Sequence, residues 1–300
     1  MNGAVVAVDM GGTRIKAARV EPDAAGTPRV VSSTAVDAPG DVTGALDVLT
    51  RLLAELGDRC AGVGLAVPGL VRSDGIIQAL PGKYDGIVGF DLPSWLRRRL
   101  DVPAVVVNDA IAYGVGEATH GAGRQATRVL VLTIGTGVGV SVIEGGRPIS
   151  TGPLGGGISG GNVLISEEGG DLVDTAGRTG TVEARCRADR IVDYARMQGA
   201  DADDVRAVYA LARDGHAGAL RAVEVYRSWL AKAIAALAVA HGVDGVVVGG
   251  GPATPDAPWL PGLEELVLPR LWPSHHLSLA VSALGDAAAP VGLTHLVWSS

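Results

Sequence analysis

The segment VAVDMGGTRIK, Val6 to Lys16, sets an apolar run against an acid, two glycines, a threonine and a lysine. AVVAVDM predicts a buried strand and RIKAARVE its hairpin partner, with Gly11 and Gly12 at the turn. Two readings fit this turn. In one it is a tight hairpin in which Asp9 and Thr13 satisfy nearby backbone. In the other, the glycines let backbone N–H groups approach an anion with no Cβ in the way. Thr13 then adds a hydroxyl donor, Lys16 a cation, and Asp9 orients a magnesium ion through water. The segment alone leaves both open.

Further along, RVLVLTIGTGVGVSVIEGG repeats the type: strand, Gly-Thr-Gly turn, strand, with Gly135, Thr136 and Gly137 at the turn. Two such turns, each after a buried strand, fit a nucleoside triphosphate held from both sides. A third glycine run ends the strand of VVVGGG, where Gly249, Gly250 and Gly251 leave space for a flat ring and ribose, although many loops carry glycines. Between these lie helical patterns. Asp41 caps one that runs to about Leu56, with Val42, Leu46, Leu49 and Leu53 at helical spacing and Gly57 as its stop. Others are expected over Val182–Met197, Ala202–Ala212, Ala217–Ala240 and Ala287–Trp298. The expectation is an α/β fold of two halves enclosing a ligand cleft. Residues 1–115 form a smaller N-terminal domain, completed by the closing helix 287–300, and 116–286 a larger C-terminal one.

VVVNDA, Val105 to Ala110, puts Asn108 and Asp109 at the end of a strand and the start of a helix. Both are preferred capping residues there. The same rigid position suits a general base that takes a proton from an attacking hydroxyl. Asn108 beside it is placed to bond a neighbouring hydroxyl.

The chain has 300 residues, is 47% hydrophobic and carries a net charge of −7 with interspersed signs. No basic run points to nucleic acid. The two cysteines, Cys60 and Cys186, form no CxxC pair, which speaks against a disulfide framework or a cysteine-rich zinc site. The six histidines fall in no ligand spacing. Asp9 interrupts the first apolar run too early for a secretory signal, and Ala231–Ala240 is too short to span a bilayer. A cytoplasmic protein without membrane partners is expected. Only three of the 25 basic residues are lysine, a composition typical of GC-rich coding.

VDMGGTRIK, GLAVPGLV, VNDAIAYGVGE, TIGTGVGVSV and VVVGGG together resemble, in order and spacing, the ROK family of sugar kinases and repressors. The resemblance covers nearly the whole chain. It implies two actin-like (ribonuclease H-like) domains flanking an ATP/sugar cleft, and a homodimer. It makes Asp109 the catalytic base. Gly11, Gly12, Thr13 and Thr136 become phosphate contacts and Gly249–Gly251 the adenosine loop. Gly69 and Asn108 fall on the sugar side. The family's repressors carry an N-terminal DNA-binding helix-turn-helix; with the phosphate turn starting at Asp9, a kinase is the expectation.

Three segments depart from the family pattern. Where sugar kinases have G-x-A-G-E-x-G-H, this chain reads GGGISGGN, with Ser159 at the Glu position and Asn162 at the His position. Over the zinc motif C-x-C-G-x-x-G-C-x-E lies DTAGRTGTVE: Gly177, Gly180 and Glu183 match, but Asp174, Ala176 and Thr181 occupy the cysteine positions. No thiolate zinc site can form from these, so no structural zinc is expected. Glu183 is left as the acidic sugar anchor, or else as a helix-start acid stabilised by the helix dipole. The family's "PN" sugar loop reads ALPGKYDG, offering Lys83 and Tyr84 without an Asn. Altered polar partners in a buried site shift specificity by about 1–3 kcal/mol. The expected activity is ATP- and Mg2+-dependent phosphorylation of a primary hydroxyl on a glucose-type sugar, an amino sugar or a C7-cyclitol. The rival expectation is a non-catalytic sugar- or nucleotide-binding sensor.

Overall fold

A computed structural model describes the chain except residues 1, 2, 58, 81, 150–159, 168 and 169. Its elements begin with β1 (Val5–Met10), β2 (Arg14–Pro22), β3 (Pro28–Asp37), α1 (Val42–Leu56) and β4 (Gly62–Val67). A small hairpin of β5 (Leu70–Val71) and β6 (Ile77–Ala79) precedes α2 (Leu92–Leu100), β7 (Ala104–Asn108) and α3 (Asp109–His120). Next come β8 (Arg128–Ile134), β9 (Val138–Glu144), β10 (Arg147–Pro148), α4 (Val182–Cys186), α5 (Asp189–Met197), α6 (Val205–Arg213) and α7 (Ala217–His241). The chain finishes with β11 (Gly245–Gly250), α8 (Leu263–Val267), β12 (Ser278–Val281) and α9 (Ala288–Trp298).

The described residues fall into two compact units. One comprises those of Met1–Arg124, Ser141–Ile158 and Leu284–Ser300, the other those of Gln125–Val140 and Ser159–Ala283. One five-stranded sheet has the order β3-β2-β1-β4-β7 and the other β10-β9-β8-β11-β12. In the first, β1 pairs antiparallel with β2 and parallel with β4, which is parallel to β7. In the second, β11 lies parallel to both β8 and β12. The plan is the same twice: a hairpin flank, then three parallel strands, with the glycine turn leaving the first of the three, the middle strand of the sheet.

Strand alternation explains the first unit's layers. Val6, Val8, Met10, Ile15, Val63, Leu65 and Val67 face α1, whose Leu49, Leu52, Leu53 and Leu56 are buried against them. Ala7, Ala18, Val20 and Ala66 face Ala112 of α3 and Leu293 of α9. Small residues let α9 come close: a Cβ on Gly64 would sit 2.7 Å from Leu293, and one on Gly62 2.4 Å from Val297. Asp41 caps α1 by accepting the Gly44 N–H at 2.7 Å, and Gly57 ends it, as the sequence implies.

In the second unit α7 is the buried spine, with Tyr226 donating to the Cys186 carbonyl at 2.8 Å. The single helix expected over Val182–Met197 is two. The chain breaks at Arg187, in extended conformation, and the Ala188 N–H bonds the Gly135 carbonyl at 2.9 Å. A tertiary bond to the glycine turn outweighs helix continuity. Both cysteines are free. No helix among the described residues is long and apolar enough to cross a membrane.

Candidate active site

The C-terminal ends of three adjacent parallel strands are where open α/β sheets hold ligands. In the first unit these ends carry Asp9 (β1), the Pro68-Gly69 turn after β4, and Asn108-Asp109 (β7). Asn108 brackets two of them. Its carbonyl oxygen accepts the Ala110 N–H at 2.9 Å, capping α3, and its amide donates to the Gly69 carbonyl at 2.8 Å. Gly69 has φ +86°, and a Cβ there would meet the Ala79 carbonyl at 2.2 Å, so the position demands glycine. Asp109 starts α3 and accepts the same Ala110 N–H at 2.8 Å.

Asp109 is exposed to solvent, but the strand ends and the start of α3 crowd its carboxylate and partly desolvate it. That desolvation, helped by the negative charge of Asp9, pushes its pKa up to about 6 against the pull of the Ala110 N–H and Asn108. Asp9 is raised as well, by burial first; Lys16 counters this and Asp286 adds to it. Lys16 is paired with Asp286 at 3.4 Å, so its ammonium is directed there rather than at the Gly11-Gly12 turn. Thr13 is exposed, and its carbonyl accepts the Ala38 N–H at 2.9 Å.

The cation at that turn comes from elsewhere. Lys83 Nζ donates to the Gly12 carbonyl at 2.7 Å, and the buried Tyr84 hydroxyl donates to the Gly11 carbonyl at 2.6 Å. A Cβ on Gly12 would lie 2.3 Å from Lys83 Nζ. Tyr84 has φ +50°, an uncommon conformation for a side chain of its size. Burial first, and then the Asp9 charge, push its pKa up to about 12, so it remains a donor. The segment that stands in for the sugar loop therefore clasps the first turn, which its sequence did not disclose.

In the second unit β8 and β11 bring two glycine runs together, with Gly249 opposite Thr133 and Gly250 opposite Ile134. Gly250, at φ +93°, leaves no room for a Cβ, which would meet the Ile134 carbonyl at 2.0 Å. Gly135 and Gly251 instead face open space and Thr136 is exposed, while the Gly135 N–H closes the turn on the Gly137 carbonyl at 2.9 Å. Beyond Gly251, Trp259 donates to Tyr209 at 2.6 Å and Tyr209 to the Pro252 carbonyl at 2.9 Å, anchoring the loop exit.

Glu183 is nearly buried and largely engaged. One carboxylate oxygen accepts from the Thr175 N–H at 2.8 Å and hydroxyl at 2.7 Å, the other from the Val138 N–H at 3.2 Å. A Cβ on Gly137 would lie 2.7 Å from it, so the Gly-Thr-Gly turn is built around this acid. Four lone-pair sites minus three bonds leaves room for one further donor. Asn162 is exposed and bonded to Arg178; Ser159 lies outside the described residues. The three positions aligned with zinc-motif cysteines do not fit a metal. Ala176 has no ligand atom, Thr181 caps α4 through Ala184, and Asp174 is filled by protein donors. Glu117, the last residue of the VNDAIAYGVGE motif, is structural: its buried carboxylate accepts from the Ala122 and Leu284 N–H groups at 2.9 and 2.8 Å.

Two sheets of one plan, each sending a glycine turn from its central strand, define the two-domain actin-like α/β fold of sugar kinases. The chain belongs to the ROK family, which it matches over residues 5–299. It is 31% identical over 251 residues to the N-acetylmannosamine kinase of Escherichia coli O139:H28, spanning 82% of each chain. A ROK hexokinase structure from Thermus thermophilus superposes with TM-score 0.80 at 26% identity, over 99% of this chain and 98% of that one. A ROK family glucokinase from Streptomyces griseus, in complex with glucose and AMPPNP, gives 0.75 at 25% identity, over 99% and 100%.

Proposed function

We propose that the chain transfers the γ-phosphoryl group of ATP to a primary hydroxyl of a hexose-like acceptor. The observation that carries this reading is Asp109, fixed by its Ala110 bond beside the Asn108 bracket at the strand ends with its pKa pushed up to about 6. A base poised near neutrality is ionised at working pH yet basic enough to take the hydroxyl proton. Asp109 removes that proton as the oxygen attacks. Gly11, Gly12, Thr13 and Lys83 are the groups assigned to the transferred phosphate. The Gly135–Gly137 turn and Gly249–Gly251 are those assigned to the rest of the nucleotide. A Mg2+ ion, when bound, would neutralise phosphate charge, and Asp9 is the residue placed to orient its water.

The acceptor is a glucose-type sugar, an amino sugar or a cyclitol. The E. coli relative is an N-acetylmannosamine kinase, and the S. griseus glucokinase carries glucose and AMPPNP, which support a sugar and ATP. Asn108, Gly69, Asn162, Ser159 and the remaining lone pair of Glu183 are the groups assigned to the acceptor. ADP release measured across hexoses, N-acetylated and free amino sugars, and cyclitols tests the assignment. Turnover with at least one class is expected; tight binding without ADP release from any would make the chain a sensor.

Lys83 supplies a second test. Its ammonium lies over Gly12, where an incoming phosphate oxygen meets it. Lys83→Met is expected to lower kcat about 10- to 100-fold, the range for loss of one group that stabilises developing charge, with the acceptor KM and melting temperature little changed. An unaltered kcat would remove Lys83 from the phosphate site.

A further inference from the structure

The loop from Asp174 to Glu183 is organised around a guanidinium. The Asp174 side chain has 0% exposure and pairs with Arg178 Nη2 at 2.8 Å. Its carboxylate also accepts from the Ala176 N–H, the Arg178 N–H and Arg178 Nε, each at 2.9 Å, and from the Thr181 hydroxyl at 3.1 Å. Burial alone would raise its pKa, but the Arg178, Thr181 and Ala176 donors outweigh burial and hold it below the ordinary carboxylate value. Arg178 Nη2 also donates to the Asn162 Oδ1 at 2.5 Å. The Thr181 oxygen in turn accepts the Ala184 N–H at 3.1 Å, capping the helix that carries Glu183. One cation thus ties Asn162 to Asp174 and, through Asp174, to the start of α4.

A bound metal ion would do the same work: supply positive charge, fix the direction of several ligands and staple a loop. The residues here give a metal too few ligands, and the polar ones are already engaged. We propose that Arg178 stands in for a metal ion at this loop. Its planar fork reaches Asp174 and Asn162 together, which a lysine ammonium on its flexible stem does not reproduce. By holding the Asn162 carbonyl oxygen it fixes which way the amide points, leaving its N–H groups to pair with a hydroxyl or carbonyl oxygen of the acceptor. The role of Asn162 toward the acceptor rests on the kinase reading; the staple does not. Arg178 is a positioning residue.

The test uses the full chain. Zinc content is measured, together with the melting temperature before and after EDTA. Substoichiometric zinc and an unchanged melting temperature are expected; stoichiometric zinc with an EDTA-lowered melting temperature would overturn the stand-in. Arg178→Met is expected to lower the melting temperature, and no change would overturn the staple. Arg178→Lys is expected to recover much of that loss, because an ammonium still pairs with Asp174. In both variants KM for N-acetylmannosamine, or for glucose if that is the sugar phosphorylated, is expected to rise about tenfold, the effect of losing one oriented hydrogen bond. KM for ATP should stay unchanged. A KM that recovers together with the melting temperature in Arg178→Lys would overturn the orientation of Asn162. If the wild type phosphorylates neither sugar but turns over another member of the hexose, amino-sugar and cyclitol panel, the same KM comparison is made with that acceptor; if it phosphorylates none, the Asn162 assignment falls with the kinase reading, while zinc content and melting still judge the staple.

Discussion

Asp109→Asn is expected to lower kcat by about 10³-fold, the middle of the range for loss of a general base, while AMPPNP binds as tightly as to the wild type. The amide keeps the carboxylate's shape and still accepts the Ala110 N–H bond of 2.8 Å, so the loss isolates proton transfer. The same substitution is expected to stabilise the fold at neutral pH. In the unfolded chain the carboxyl titrates near 3.9; in the folded chain desolvation pushes it up to about 6. The fold therefore favours the protonated form. The stability this contributes is complete below about pH 4 and is lost as pH rises through about 6. Asparagine, neutral throughout, avoids that loss, so the variant melts higher than wild type at pH 7 and no higher near pH 4. In the wild type kcat/KM should fall as pH drops below about 6. Retained turnover in the variant, or a profile flat through pH 6, would remove Asp109 from the chemistry.

Gly292→Val is the substitution expected to damage the fold most. Where α9 crosses α3, a Cβ on Gly292 would lie 1.9 Å from the Ala112 carbonyl, and one on Gly116 2.0 Å from the Ala288 carbonyl. The two glycines interlock, and backbone on either side cannot yield as a side chain would. Overpacking of this kind costs about 3 kcal/mol or more, a fall of roughly 10 °C in melting temperature. Because Asp109 opens α3, activity should fail together with the fold. Gly40→Ala, with nothing within 4 Å of its added Cβ, is the control and should change stability by less than about 0.5 kcal/mol. Equal melting of the two variants, by calorimetry, would show that the helix crossing tolerates a side chain.

The parts of the molecule legible in the sequence are those written locally. β1, β8 and β11 stand out as apolar runs ending in glycine, and Asn108-Asp109 as a strand-to-helix junction. Asp41 and Gly57 mark the ends of α1. The parts that were not legible depend on residues far apart in the chain. Lys83 and Tyr84 meet Gly12 and Gly11 only because the chain after β6 folds back onto the first turn. Lys16 looked like a phosphate ligand beside that turn, yet its partner is Asp286. The pattern of Val182–Met197 is helical throughout, and only the Gly135 carbonyl explains its break. Glu183 matched a sugar anchor by motif, but its bonds to Thr175 and Val138 are tertiary facts. Glu117 lies within the matched VNDAIAYGVGE segment, yet its carboxylate is engaged by the Ala122 and Leu284 N–H groups. Motif agreement singled out candidate residues; it did not say which of their atoms remain available.

The central claim, Asp109-dependent phosphoryl transfer to a primary hydroxyl, is tested most directly by following the γ-phosphate itself. Wild-type protein is incubated with Mg-ATP and an acceptor that releases ADP, and the product is examined by proton–phosphorus correlation NMR. The expected result is a phosphorus signal coupled to the acceptor's hydroxymethyl protons in the wild type and none in Asp109→Asn. Phosphorus appearing only as inorganic phosphate, or the same sugar phosphate forming at the same rate in the variant, would contradict it.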